Sequence, residues 1–173
     1  TDKKNEIEMF QELREYVKRI RGIERKTSIF VKVGYINQNG IYHLFKKNDY
    51  YITTTRGEGL GGPIVQSMLF GTPCIAHKFS VLQDYIKESN SIIYPYHLGP
   101  VKKMKAVVYD SFQNWAYFKI GDIVDSLKIS RKLFLSNKKK YKEISKNAQI
   151  VTTSIYSLKN FKREFLEIMI NGK

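Results

Sequence analysis

Apolar residues in the first stretch, residues 5–21, fall at Ile7, Phe10, Leu13, Val17 and Ile20. That spacing predicts an amphipathic helix, with Gly22 as its stop. From Thr27 to Ile36 the pattern changes to β-branched and aromatic residues in partial alternation, which predicts a strand ending near Gly34. Asn37–Gly40 reads as a turn and Ile41–Lys47 as a short helix. Asp49–Thr54 predicts a strand, Thr55–Gly62 a polar, glycine-dense loop, and Pro63–Phe70 a helix stopped by Gly71. Proline suits the first helical position because its missing N–H costs nothing there. A strand over Thr72–His77 follows, then a helix over Val81–Lys87 with Ser80 as its cap, then a strand or extended segment over Ser91–Tyr96. Residues 97–120 are aromatic but without a clean period, and are expected to be irregular or a crossover. Beyond Gly121-Asp122 the chain reads as helical. Ile129, Leu133, Phe134, Tyr141, Ile144 and Ala148 recur at helical spacing, with a break near Ser136-Asn137. Leu158, Phe161, Phe165, Leu166 and Met169 close the chain on one face.

Strand, loop, helix, strand, helix, strand at tight spacing argues for an α/β fold, a Rossmann-like parallel sheet with flanking helices. One such domain over residues 1–173 is expected, with residues 122–173 as its C-terminal helices. A length of 173 residues suits one domain with a real core, and the 42% apolar and 13% aromatic content exceeds that of a disordered chain. The single cysteine, Cys74, excludes a disulfide framework and a CxxC site, and inside an apolar strand it reads as a small core residue. No apolar run approaches the ~18 residues of a membrane span, and no basic-apolar-small leader opens the chain. The expected location is cytoplasmic.

Charge changes the picture. Thirty basic against 16 acidic residues leave +14, a field that draws anions of every kind. The basic residues cluster at Lys18–Lys26 and again from Lys128 to Lys146. The second cluster is either a solvated helix face or a patch for an anionic membrane or nucleic acid.

The glycine loop is the candidate site. Gly57, Gly59, Gly61, Gly62 and Gly71 lie within fifteen residues, between a strand and a helix. Such a loop bares backbone N–H groups at the positive end of a helix and lets a phosphate approach closely. In an open parallel sheet it lies where ligands bind, beyond the strands' carboxyl ends. It is neither a Walker loop nor a GxGxxG fingerprint, and a tight turn without a ligand has the same glycines. Glu58 weighs against the plain turn. Its carboxylate would repel phosphate, so its natural partners are sugar hydroxyls. Gln66, eight residues on, can reach back to a ribose hydroxyl. Together these describe a sugar-nucleotide site.

Residues Asp49–Ile86 resemble the donor-binding half of retaining GT-B glycosyltransferases of the group 1 family, also called family 4. That pattern runs through a small hydroxyl residue, two residues, Glu-Gly-x-Gly, a proline, a Glu-Ala-Met helix and Gly-x-Pro-Val. Its counterparts here are Thr55, Glu58-Gly59-Leu60-Gly61, Pro63, Gln66-Ser67-Met68 and Gly71-Thr72-Pro73-Cys74. Phe30–Gly34 and Gly121–Leu127 resemble flanking parts of the family more weakly. The resemblance implies that Glu58, the candidate catalytic residue, meets the donor hexose, that Gly59, Leu60 and Gly61 hold hexose and diphosphate, and that Gln66 stands where the family has a ribose-binding glutamate. It implies retaining hexosyl transfer from a nucleotide diphosphate sugar without a metal, and one half of a GT-B fold. The acceptor-binding half and the donor half's first strand have no counterpart, so the domain is expected to be incomplete on its N-terminal side and inactive alone.

Thr55 and Arg56 are added to the binding set, the one for its hydroxyl and the other for charge, although strand termination and a surface salt bridge explain them equally. Lys78 follows the strand over 72–77 and joins them. His77 faces the same cleft or is a satisfied strand-end residue. Trp115, Tyr117 and Phe118 either stack on a base or sugar or, as such groups more often do, pack in the core, and they are left out of the site. His43 and His97 have no ligand partners, so no metal is expected. The expected partners are a nucleotide sugar, an unidentified glycan, lipid-linked or protein acceptor, and peripheral contact with anionic membrane. The alternative is a basic nucleic-acid- or membrane-binding α/β module without catalysis, which the loop's Glu58 disfavours.

Overall fold

The computed structural model describes residues 2–21, 30, 32, 34–101 and 112–171. The chain divides into two compact units, Thr1–Gly40 and Ile41–Lys173. The first holds helix α1 (Asp2–Arg21), whose stripe is exposed at Ile7, Phe10 and Leu13. The stop at Gly22 and half of the strand expected over 27–36 lie outside the described residues; the described ones, 30, 32 and 34–36, form no strand, and Phe30 and Tyr35 stand exposed rather than packed in a sheet.

Helix α2 (Gln38–Lys47) begins inside the expected turn because Asn37 caps it: the Asn37 Oδ1 accepts the Gly40 amide at 2.9 Å. Then come β1 (Tyr51–Ile52), α3 (Gly62–Leu69), β2 (Cys74–Ala76), α4 (Leu82–Tyr85) and β3 (Ser91–Ile93). The three strands form a parallel sheet in the order β1-β2-β3, with Tyr51 beside Cys74 and Cys74 beside Ser91. This is the Rossmann-like α/β arrangement, a sheet flanked by helices. The middle strand, β2, is buried at every position, as expected of a strand covered on both faces. It packs with Ile64, Val65 and Met68 of α3 and with Leu82, Tyr85 and Ile86 on and after α4. Cys74 is fully buried, its thiol pushed up to about 12 by desolvation, so it is core and not a nucleophile.

Residues 97–120 depart from the irregular crossover expected of them. Strands β4 (His97–Pro100) and β5 (Asn114–Tyr117) pair antiparallel, Gly99 opposite Trp115. Each strand is four residues long and no two-residue turn joins them, so the usual hairpin signal is missing.

Helices α5 (Ile120–Ser136), α6 (Lys138–Ile155) and α7 (Leu158–Asn171) complete the chain. Asn137 makes the break between α5 and α6, its side chain accepting the Lys140 amide. Helix α6 covers α3 through small residues: Ala148 joins the core, the Ser145 hydroxyl donates to the Gly71 carbonyl, and the Gln149 amide donates to the Leu69 carbonyl at 3.1 Å. Gly71 ends α3 at φ +75°, as its sequence position suggests. Among the described residues no helix is long and apolar enough to cross a membrane.

Candidate functional site

The segment Thr53–Gly61 leaves the carboxyl end of β1 and enters α3. Most of its carbonyl oxygens are held by donors, the majority from other parts of the fold. Tyr94 Oη donates to Thr53 O at 2.7 Å and His77 Nε2 to Thr55 O at 2.7 Å. The Ala116 amide donates to Arg56 O at 3.0 Å, and Thr55 Oγ1 to Gly57 O at 3.0 Å. Ser80 Oγ donates to Glu58 O at 2.9 Å, Tyr85 Oη to Leu60 O at 3.1 Å, and the Val65 amide to Gly61 O at 3.0 Å. Among the described residues only Thr54 and Gly59 have carbonyls without such a donor, whereas the amides of Gly59, Leu60, Gly61 and Gly62 find no protein acceptor. The loop is therefore polarised: its acceptors are consumed by the fold and its donors are left for something else.

Burial moves the hydroxyls of two of the donors still further from ionisation. Desolvation raises the Tyr94 hydroxyl to about 12 and pushes Tyr85 up further. His77 is fully buried, and burial lowers its pKa against the opposing pull of the Thr55 carbonyl and the Glu58 charge. Its Nδ1 accepts the Phe79 amide at 3.0 Å, so the hydrogen sits on Nε2 and one neutral tautomer serves both neighbours. Of the two meanings His77 had in the sequence, the satisfied strand-end residue describes it.

The glycines divide by role. Gly61 has φ +70°, and a Cβ there would run into the Tyr85 hydroxyl. Beside Gly59 and Gly62 an added Cβ would meet nothing within 4 Å. Packing does not require glycine at those two positions; open space lies beside them.

Glu58 is half-buried, and among the described residues its carboxylate has neither an ion pair nor a hydrogen bond. Leu60 is 56% exposed beside it in the loop. Gln66 is half-buried on α3, its side-chain amide likewise without a protein partner among the described residues. Thr55 turns its hydroxyl back into the loop, onto Gly57 O. Arg56 makes no ion pair among the described residues, so the surface salt bridge that was its alternative reading is not formed there. Its guanidinium lies over the rings of Trp115 and Tyr117, 5.5 Å and 5.2 Å from their centres. Lys78 faces Glu88 at 3.7 Å, a long and exposed pair, while its carbonyl accepts from Tyr96 Oη. Among the described residues no group of three His, Cys, Asp or Glu side chains is placed to hold a metal.

Three features of the site were not foreseen. Ser80 does not cap α4: its backbone sits at φ +59° and its hydroxyl goes to Glu58 O, leaving Val81 at the cap position without a side-chain bond. Tyr85 and Tyr94, five and fourteen residues beyond Ser80, carry no local signal for such a role. Trp115 and Tyr117, left out of the expected site, lie two apart on β5, the spacing of one strand face.

The protein-family comparison finds a match over residues 12–98, half of the chain, to the family described as "Glycosyl transferases group 1". The match runs through β1, the glycine loop, α3, β2, α4 and β3. No curated protein and no solved structure matches the chain significantly. With half of its length matched, and with the loop, Glu58 and the following helix inside that half, the chain belongs to the glycosyl transferases group 1 family.

Proposed function

We propose that this chain is the donor-binding half of a GT-B glycosyltransferase, taking a nucleotide diphosphate sugar and passing its hexosyl group, with retention, to an acceptor bound elsewhere. The observation that carries the reading is the polarised loop: amides of Gly59–Gly62 without protein acceptors among the described residues, at the start of α3, beside open space at Gly59 and Gly62. Backbone N–H groups and the positive end of a helix stabilise a diphosphate both when bound and as it departs. Glu58 accepts from hexose hydroxyls, a task for which an uncommitted carboxylate suits. Gln66, one turn into α3, accepts from ribose, with an amide in place of a charge. Arg56 and Lys78 add positive charge, and Thr55 shapes the turn. The resemblance assigns charge neutralisation to these groups rather than to a divalent ion.

A thermal-shift screen of uridine, guanosine and adenosine diphosphate sugars tests this. A ligand at about 100 times its Kd stabilises by about 2.7 kcal/mol. Glu58→Ala is expected to remove the shift given by the sugar nucleotide while the variant unfolds at the native temperature. If neither the sugars nor their parent diphosphates move the transition, the reading is wrong.

The exposed basic faces of α5 and α6 favour an accessory role, contact with an anionic surface close to the acceptor.

A further inference from the structure

The family match ends at Leu98, inside β4, so β5 lies beyond the matched residues. Yet β5 touches the glycine loop. Its Ala116 amide donates to Arg56 O at 3.0 Å. Trp115 and Tyr117 share one face of the strand, and both rings lie within cation–π reach of the Arg56 guanidinium. Gly57, next in the loop, has Trp115 as its neighbour: a Cβ there would come 3.9 Å from Trp115 Cδ1.

The ring platform is assembled without help from Arg56. Tyr117 Oη donates to Pro100 O at 2.9 Å, and His97 stacks with the Tyr117 ring at 5.9 Å. Gly99 makes the room, since a Cβ at that position would come within 3.0 Å of the Tyr117 ring. The guanidinium carbon lies over both rings, and among the described residues no hydrogen bond or ion pair takes up the guanidinium N–H groups, which can fork onto an anion as a lysine cannot. An arginine parked in this way has already given up much of the side-chain freedom that binding would otherwise remove.

We propose that the β4–β5 hairpin positions Arg56 for the second phosphate of a nucleoside diphosphate, with Trp115 and Tyr117 as positioning residues. The loop amides then serve one phosphate and the guanidinium the other, so the hairpin sets the preference for diphosphate over monophosphate. The proposal rests on the donor-site reading above.

The test titrates the full chain by calorimetry with uridine, guanosine and adenosine di- and monophosphates at fixed ionic strength. Emission of Trp115, the one tryptophan in the sequence, is followed in parallel. For the base that binds, the diphosphate is expected to bind about tenfold tighter than its monophosphate and to change the Trp115 emission. Arg56→Gln and Trp115→Ala are each expected to abolish that preference while leaving the monophosphate Kd within about twofold. The double variant should be no worse than either single one, and Trp115→Phe should keep most of the preference. Arg56→Gln leaves the hairpin's own contacts intact, so it stays informative if Trp115→Ala folds poorly. A preference that survives Arg56→Gln or Trp115→Ala, equal loss of both ligands, or additive effects overturns the hairpin's role alone. Failure of the native chain to bind any diphosphate overturns the donor-site reading, and this proposal with it.

Discussion

His77 shows how one buried side chain ties the loop to the sheet. Nε2 donates to Thr55 O and Nδ1 accepts from Phe79 N, so protonation would set an N–H against an N–H. Burial holds its pKa below the ordinary 6.5, so the unfolded chain takes up this proton at a higher pH than the folded one. The sign follows: above pH 6.5 the ring costs nothing, and stability falls as pH drops from there towards the lower folded value, below which the loss levels off. Urea unfolding between about pH 7 and pH 5 is expected to show this decline. A His77→Gln variant, which retains an amide donor, is expected to show a shallower one. A chain equally stable at both ends of that range would mean that the imidazole is not the group holding Thr55. The residue type and place of His77 can be read from the strand over 72–77, but its partners lie 22 residues back and two residues on, and only the first of these needs the fold.

Within the β1–loop–α3 element, glycine at neighbouring positions answers different needs. Gly61 is required by its left-handed backbone and by the Tyr85 hydroxyl, whereas Gly62 faces open space at the first turn of α3. Gly61→Ala is expected to destabilise the chain by about 1–3 kcal/mol. Adding Tyr85→Phe, which removes the colliding oxygen, should recover part of that loss. Gly62→Ala is expected to leave stability unchanged or raise it by up to about 1 kcal/mol, since alanine favours the helix. It should weaken nucleotide binding all the same, because the methyl group enters the space a phosphate would use. Urea midpoints and calorimetric affinities measured on the same variants separate the two roles. Equal destabilisation by both substitutions would show that the loop is only a tight turn. Glycine spacing marks this element in the sequence, but not which glycine serves the backbone and which the ligand. That distinction depends on where Tyr85 lies.

Over the whole molecule, charge is the dominant feature. Lys128 and Lys140 pair with Asp125 and Glu143, while Arg131, Lys132, Lys138, Lys139, Lys142 and Lys146 are exposed without an ion pair among the described residues. Exposed like charges so placed are attracted to an anionic surface, weakly and with strong screening by salt. Co-sedimentation with vesicles rich in anionic lipid is expected at low ionic strength. It should fall steeply towards physiological salt and be lost in a Lys138→Glu, Lys139→Glu, Lys142→Glu variant. No sedimentation at low salt would remove the membrane from the account.

The pattern of apolar positions is enough to place β1, α3, β2 and α5–α6, and the glycine spacing marks the loop with Glu58 as the candidate site. Those are local properties, set by period, by glycine and proline punctuation, and by residue types a few positions apart. It does not reach the hairpin, where the β5 spacing of Trp115 and Tyr117 is too short a signal to tell a strand face from core. Nor does it reach the polarity of the loop. Tyr94, His77, Ser80, Tyr85 and Ala116 supply donors to carbonyls between 22 and 60 residues earlier in the chain. Which backbone groups are satisfied and which are left open is a property of the assembled sheet, because each bond is completed by a residue that the chain brings near only by folding.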